Sequence, residues 1–255
     1  YEKYDDEWSK QYAMESKERL EQLTYLRDNN IKPLYGWEYD AYNYMSSLMQ
    51  FLGMAILVAG IAVFMSDIVS GECTPATLKF LLIQPVTRGK VLLSKFIAVT
   101  ITVLTMILGA EIVGFLFVNI TSGVNNSAYP VSIGTVYEKI INADGTTILS
   151  KVVGSGHMGT NLELFTKAML FQALFIITAC AVIFMISTLI KSSMITMAIS
   201  VVVTVFLTIG SYNLSALRKM AHLVFLNFGD SISVFTGSSA MMMQNPNMTV
   251  TNGVI

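Results

Sequence analysis

The sequence contains few charged residues for its length. Only 13% of its 255 residues are Asp, Glu, Lys or Arg, whereas 53% are hydrophobic. A soluble domain carries about 25% charged residues, so this composition is typical of a membrane protein. The formal net charge is −1, and no long cluster of Lys and Arg is present to neutralise phosphates. Nothing in the composition therefore indicates nucleic acid as a partner.

Residues and motifs needed for catalysis or for nucleotide binding are also scarce. With two Cys and two His, the chain has neither a disulfide framework nor a Cys/His cluster with the spacing of metal ligands. No G-x-x-x-x-G-K-[ST] motif occurs, so a P-loop on this chain is excluded. The stretch GSGHMG at 154–159 matches G-x-G-x-x-G, but it precedes an apolar run rather than linking a strand to a helix, and it predicts a turn. We expect no catalytic residue, no metal and no cofactor on this chain.

Long apolar runs are the main feature that the sequence does contain. A bilayer core requires about 20 apolar residues in a helix, and four runs without proline reach that length: 45–65, 96–118, 168–190 and 194–211. Their one charged residue is Glu111. Its insertion cost of about 3 kcal/mol is offset by the many Leu, Ile, Val and Phe residues around it. We predict an all-α polytopic membrane helical bundle with four spans.

The distribution of Lys and Arg predicts which segments face the cytoplasm. The loop 66–95 and the short turn at Lys191 are dense in positive charge, which places them inside by the positive-inside rule. Three segments are then predicted outside: 1–44, a charged helical stalk followed by an aromatic interfacial stretch; 119–167, a mainly irregular loop with some strand; and 212–255, an amphipathic segment along the interface.

Glu111 is a candidate functional residue because acids inside membrane spans are costly and are commonly functional. It could contact a substrate or an ion on a pathway through the bundle. The alternative is a structural glutamate that is hydrogen-bonded inside the bundle. The sequence leaves both open.

The loop sequence ECTPATLKFLLIQPVTRGKVLLSK, residues 72–95, predicts a short helix lying across the cytoplasmic surface. Thr74 is a good N-cap, Pro75 suits the first helical position, and Pro85 ends the helix. Thr87 can then cap a second helix that leads into the span 96–118. By physical argument alone, this element could equally be an ordinary amphipathic interfacial helix.

The spacing of residues in this loop resembles that of the first cytoplasmic loop of ABC transporter permeases of the type-2 exporter class. The matching positions are Glu72, Thr77, Leu78, Leu81, Leu82, Pro85, Arg88 and Lys95. The sequence departs from the pattern at Ala76, where glycine is usual. The stretches DDEWSKQ and ISTLIKSSMITMAIS also resemble bacitracin- and lantibiotic-resistance permeases of this class.

The resemblance implies a permease that is not itself an enzyme. Such permeases have six spans, so the chain would be a fragment lacking the first and last; they pair as homo- or heterodimers in the bacterial plasma membrane. Two separate ATPase subunits would bind ATP and Mg²⁺, and export would serve multidrug or peptide antibiotic resistance. The helix in loop 66–95 would be the coupling helix that contacts the ATPase. Its implied coupling residues are Glu72, Thr77, Leu81, Leu82, Pro85 and Arg88.

Two other classes of function remain open from the sequence. One is a non-transporting immunity or binding protein that sequesters a peptide at the outer face. The other is an ion-coupled carrier that uses Glu111.

Overall fold

The structure is a computed structural model, and it describes residues 16–17, 19–34, 40–66, 87–123, 126–141, 147–152, 154–190 and 192–254. The elements follow in the order α1 (19–28), α2 (Ala41–Phe51), a π-helical segment (Leu52–Ile56), α3 (Leu57–Met65), α4 (Arg88–Ser122), β1 (Pro130–Ile133), β2 (Tyr137–Ile141), β3 (Thr147–Lys151), β4 (His157–Thr160), α5 (Asn161–Leu189), α6 (Ser193–Asn213), α7 (Ser215–Lys219), two 3₁₀ turns (Ala221–Leu223 and Phe225–Phe228), α8 (Ser231–Thr236), α9 (Ser238–Met242) and α10 (Val250–Val254). The prediction of an all-α polytopic membrane protein is confirmed.

Among the described residues, three helices are long and apolar enough to cross a membrane: Gly89–Ser122 within α4, α5 and α6. They include the predicted spans 96–118, 168–190 (except its last residue) and 194–211. The remaining predicted span, 45–65, is helical throughout but is divided into α2, the π-helical segment and α3. We call these three consecutive segments the 41–65 helix.

Capping residues in the sequence explain where several helices begin and end. Asp40 caps α2 by accepting a hydrogen bond from the backbone N–H of Asn43 at 2.8 Å. Thr160 caps α5 in the same way, with Glu163 as donor at 3.2 Å, and an acid in the first turn also favours the helix dipole. Helix α4 begins after Thr87, at the predicted position, but the Thr87 side chain makes no capping hydrogen bond. The helix ends at Gly123, whose φ of 65° favours glycine.

Ring contacts show that α4 and α5 are antiparallel neighbours. Phe115 stacks on Phe165 with centroids 5.1 Å apart, and Phe96 lies 5.4 Å from Phe184. The strands lie beyond the first pair, so we call that end of the bundle the sheet end. The other end contains the tight turn between α5 and α6, and we call it the hairpin end.

The 41–65 helix runs from the sheet end to the hairpin end. Near its start, the ring of Tyr42 lies 5.2 Å from that of Phe115. Just after its end, the hydroxyl of Ser187 donates to the carbonyl of Ser66 at 3.3 Å. The loop that follows therefore leaves from the hairpin end.

The main apolar core joins α3, α4, α5 and the second 3₁₀ turn. Its buried members are Leu57, Val58, Ile61, Ala62, Met65, Val103, Phe175, Ile176, Ala179, Cys180, Ile183 and Leu226. Helix α6 packs against α3, and it buries a row of small hydroxyl side chains at helical spacing: Thr196, Ser200, Thr204, Thr208 and Ser211. Small residues let membrane helices approach closely.

The segment between α4 and α5 is more ordered than the mainly irregular loop that the sequence predicts. Strand β1 pairs antiparallel with β4, and β2 pairs antiparallel with β3, so one hairpin is nested inside the other. Gly134 and Gly156, at φ of 79° and 83°, allow the sharp corner between the two pairs. The N–H of Gly134 also donates to the carbonyl of Phe235 at 2.7 Å, which joins the strands to the C-terminal segment.

The C-terminal segment differs from the predicted amphipathic interfacial segment. It consists of short helices and turns that fold back onto the bundle, and Leu226 and Phe228 are 5% and 3% exposed. Asn227 is buried and donates to the carbonyl of Ala221 at 2.9 Å and to the hydroxyl of Ser211 at 3.0 Å. Buried polar groups need such partners, which a helix lying on the surface would not require.

The N-terminal helix α1 packs on the strands. The side-chain amide of Gln22 donates to the carbonyl of Pro130 at 3.2 Å, and Leu26 is buried. The helix ends in a turn at residues 29–30, which are both asparagine.

Candidate functional site: a groove with a buried carboxyl group

A groove of about 580 Å³ lies between the 41–65 helix and α4. This volume falls in the range of about 300–1,000 Å³ that drug-sized ligands occupy. Apolar side chains form most of its wall. It is lined by Tyr44, Leu48, Leu52, Ile56, Leu57, Gly60, Ile61, Phe64, Val103, Met106, Ile107, Ala110 and Glu111.

Glu111 is the one charged residue of this lining, and its side chain is 2% exposed. The side-chain amide of Gln172, on α5, donates to its Oε1 atom at 2.7 Å. Among the residues that the structure describes, its Oε2 atom has no hydrogen-bond partner, and neither does the Oε1 atom of Gln172. One of the three acceptor oxygens of this pair therefore has a partner among the described residues, although buried polar atoms ordinarily find partners.

The antiparallel packing of α4 and α5 brings Glu111 and Gln172 together. Each residue lies eleven positions from the sheet-end terminus of its helix, at Ser122 and Asn161 respectively. Equal distances along two antiparallel neighbours place side chains at one depth. Sequence analysis did not identify Gln172, although a long amide side chain within an apolar run is a detectable signal.

Two glycines shape the groove. A Cβ atom added to Gly114 would lie 2.9 Å from the hydroxyl oxygen of Tyr44, so glycine allows the Tyr44 side chain to lie against α4 one turn from Glu111. Gly60 lies on the opposite wall, where an added Cβ atom would have no atom within 4 Å. The groove is therefore aromatic and acidic near the sheet end and open beside Gly60.

Where it carries Gly53, the 41–65 helix is closed by backbone contact. A Cβ atom added to Gly53 would lie 2.5 Å from the carbonyl carbon of Gly229 and 2.6 Å from its oxygen. Gly53 lies in the π-helical segment, where Leu57 donates its N–H to Leu52 and Ala55 has a φ of 83°. Such π-helical turns are frequent at functional sites. No pattern in the sequence predicts this π-helical segment.

The predicted coupling residues lie in or beside a part of the chain that the structure does not describe. Glu72, Thr77, Leu81, Leu82 and Pro85 fall outside the described residues, and so does the side chain of Arg88. The backbone of Arg88 is the first residue of α4.

Further cavities lie outside the groove. The stretch GSGHMG lines a cavity of about 160 Å³ together with Lys17 and Lys151, and partial burial lowers the pKa of Lys151. A cavity of about 450 Å³ lies between α5 and the C-terminal segment, beside His222. Within the described ranges, no three His, Cys, Asp or Glu side chains group in a way that could hold a metal ion.

Comparison with known proteins gives one match. The chain is similar to the family described as ABC-2 family transporter protein, whose family model matches residues 3–253. No curated protein and no solved structure matches the chain.

Proposed function

The chain belongs to the ABC-2 family of transporter proteins, and from this premise we propose that it is the permease subunit of an ATP-driven exporter, coupled to its ATPase through loop 66–95. Membership of the family supports a membrane-embedded, non-catalytic permease subunit and implies pairing with an ATP-binding ABC subunit. Family membership does not establish export or the site of coupling, and both are part of this proposal.

The observation that carries the proposal is the position of the two ends of this loop. The 41–65 helix ends beside Ser187 at the hairpin end, and α4 also begins at that end. The positive-inside rule predicts the same end to be cytoplasmic, since the loop is dense in Lys and Arg. A separate ATPase would dock on the cytoplasmic side, where this loop is predicted to project.

In this proposal, the helix predicted at 74–84 fits a groove on the ATPase. Leu81 and Leu82 would bury their side chains against it, while Thr77 and Pro85 would define the two ends of the contact. Glu72 and Arg88 would fix its register through charged contacts. Because α4 begins at Arg88, a displacement of this helix would be transmitted directly to the wall of the groove that contains Glu111.

Further parts of the proposal concern the pairing of subunits, the source of ATP and Mg²⁺, and the substrate pathway. We propose that two permease subunits, identical or different, pair in the bacterial plasma membrane, that the ATPase subunits supply ATP and Mg²⁺, and that Glu111 lies on the substrate pathway. A peptide antibiotic or drug is the class of cargo suggested by the resemblance of the stretches DDEWSKQ and ISTLIKSSMITMAIS to bacitracin- and lantibiotic-resistance permeases.

Reversing charges in the loop tests the coupling. The double variant Glu72→Lys with Arg88→Glu should abolish the stimulation of ATPase activity by the reconstituted permease, because both charged contacts become repulsive. The matched control is Glu138→Lys with Lys139→Glu, two exposed neighbours on β2 at the sheet end, which should leave the stimulation unchanged. Normal stimulation and normal export by the loop variant would contradict coupling through loop 66–95.

A further inference from the structure

We propose that the groove between the 41–65 helix and α4 is the binding site for a drug-sized lipophilic cation, whose positive group lies near Glu111. The assignment rests on the proposed function as a transporter, and it specifies the chemical class of one substrate. It stands on the composition of the groove, on the hydrogen-bonding state of Glu111 and on its aromatic neighbour.

The lining has a single sign of charge. Glu111 is its one charged residue, and no Lys or Arg is among the lining residues. An anionic ligand would meet a carboxylate with no compensating base, and a neutral apolar ligand would leave the buried polar pair as it is. A cation supplies the missing charge, and charge complementarity of this kind gives specificity.

The Oε2 atom of Glu111 supplies a direct reason for a ligand. Glu111 is only 2% exposed, and this oxygen has no hydrogen-bond partner among the described residues. An unpaired buried polar atom carries a free-energy penalty that a positive ligand would remove. Because Gln172 orients the carboxyl group through Oε1, the second oxygen remains to interact with the cation.

Tyr44 adds a second recognition element. Its side chain lines the same groove and lies against Gly114, one helical turn from Glu111. An aromatic ring within about 6 Å attracts a cation through its negative face. The rest of the lining is aliphatic apart from Phe64, so a cation with apolar substituents fits it better than a hydrophilic ion does.

The volume limits the size of the ligand. At about 580 Å³, the groove accommodates a drug-sized molecule rather than a folded peptide. The proposed ligand of this groove is therefore smaller than the peptide antibiotics suggested by the sequence resemblance.

Equilibrium binding of tetraphenylphosphonium to the purified chain, without ATP and without ATPase, tests the inference separately from the proposed coupling. The wild-type protein should bind the cation saturably, and the anion of the same shape, tetraphenylborate, should not compete. Glu111→Gln should weaken binding by at least about tenfold, as expected when a buried charge loses its partner. The exposed-site control Glu138→Gln should leave binding unchanged.

A second pair of variants tests the groove without changing any charge. Gly60→Phe should block binding, because its side chain would enter the open groove. Gly109→Phe is its matched control, since an added Cβ atom at Gly109 also meets nothing within 4 Å and Gly109 does not line the groove. If Glu111→Gln fails to fold, this pair alone decides the outcome.

Three results would overturn the inference: no saturable binding by the wild-type protein, equal binding by Glu111→Gln, or equal binding of the anion. Unchanged binding by Gly60→Phe would also overturn the inference, because the cation would then bind elsewhere. The groove would in that case be filled by lipid or by another protein segment. Any of these results leaves the charge-reversal test of loop 66–95 intact. Conversely, a variant of loop 66–95 that no longer stimulates the ATPase but still binds the cation would agree with the inference.

Discussion

Two glycines of the 41–65 helix have opposite surroundings. Gly53 contacts the backbone of Gly229 so closely that no side chain fits between them. Gly60, seven residues further along the helix, borders empty space in the groove. Glycine therefore permits a close contact between backbones at position 53, whereas at position 60 it leaves the groove open.

This difference indicates which elements can move relative to each other. The C-terminal segment is held to the 41–65 helix by contact between backbones, which cannot adjust by changing rotamers. Helix α4 meets the same helix across a groove and through side chains such as Tyr42 and Phe115. Because α4 continues from the proposed coupling loop, its contact with the 41–65 helix is the one expected to change during transport.

The largest expected effect comes from filling the close contact at Gly53. Gly53→Val should destabilise the protein by at least about 3 kcal/mol, since overpacking against a backbone cannot be relieved by side-chain rearrangement. Thermal unfolding of the purified protein in detergent measures it. The matched variant Gly60→Val should change the stability by no more than about 0.5 kcal/mol. Equal losses for the two variants would refute the contrast between the two glycines.

A smaller effect is expected from the polar pair behind the groove. Gln172→Leu removes the donor to Glu111 and should destabilise the protein by about 1–3 kcal/mol, the cost of leaving a buried acceptor unsatisfied. The same change in a Glu111→Leu background should cost much less, because the acceptor is then absent. A double-mutant cycle of unfolding measurements gives this coupling, and additive effects would show that the two side chains do not interact.

The smallest expected effect is at the ring that borders the groove. Gly114→Ala should cost about 1 kcal/mol or less, because the nearest atom is the hydroxyl at the end of the Tyr44 side chain, which can move. The variant should nevertheless alter the environment of Tyr44, which fluorescence or NMR of a tyrosine-labelled sample would detect. In a Tyr44→Ala background, Gly114→Ala should cost less than it does alone if the ring is the source of the cost.

The helical framework was predictable because it depends on the length of apolar runs. Three of the predicted spans lie almost entirely within helices long and apolar enough to cross a membrane, and Thr87 begins α4 as the loop sequence predicts. The row of hydroxyl residues on α6, from Thr196 to Ser211, also follows helical spacing in the sequence. It could have been recognised as a packing face.

The parts that were not predicted depend on contacts between distant residues. The pairing of β1 with β4 joins residues about 30 positions apart, and no local pattern specifies it. The contact between Gly53 and Gly229 converts a predicted interfacial segment into part of the bundle. For the site, Glu111 was identified from its isolation among apolar residues, whereas Gln172 and Tyr44 acquire their roles only when α5 and the 41–65 helix pack beside α4.

Site-specific photo-crosslinking tests the central claim most directly, namely that a separate ATPase contacts this permease through loop 66–95. A photoreactive amino acid would replace Leu81 in one sample and Leu223, which is exposed in the C-terminal segment, in the other. The expected result is a crosslink to the ATPase subunit from position 81 and none from position 223. A crosslink from position 223, or none from position 81 in a complex that hydrolyses ATP normally, would contradict it.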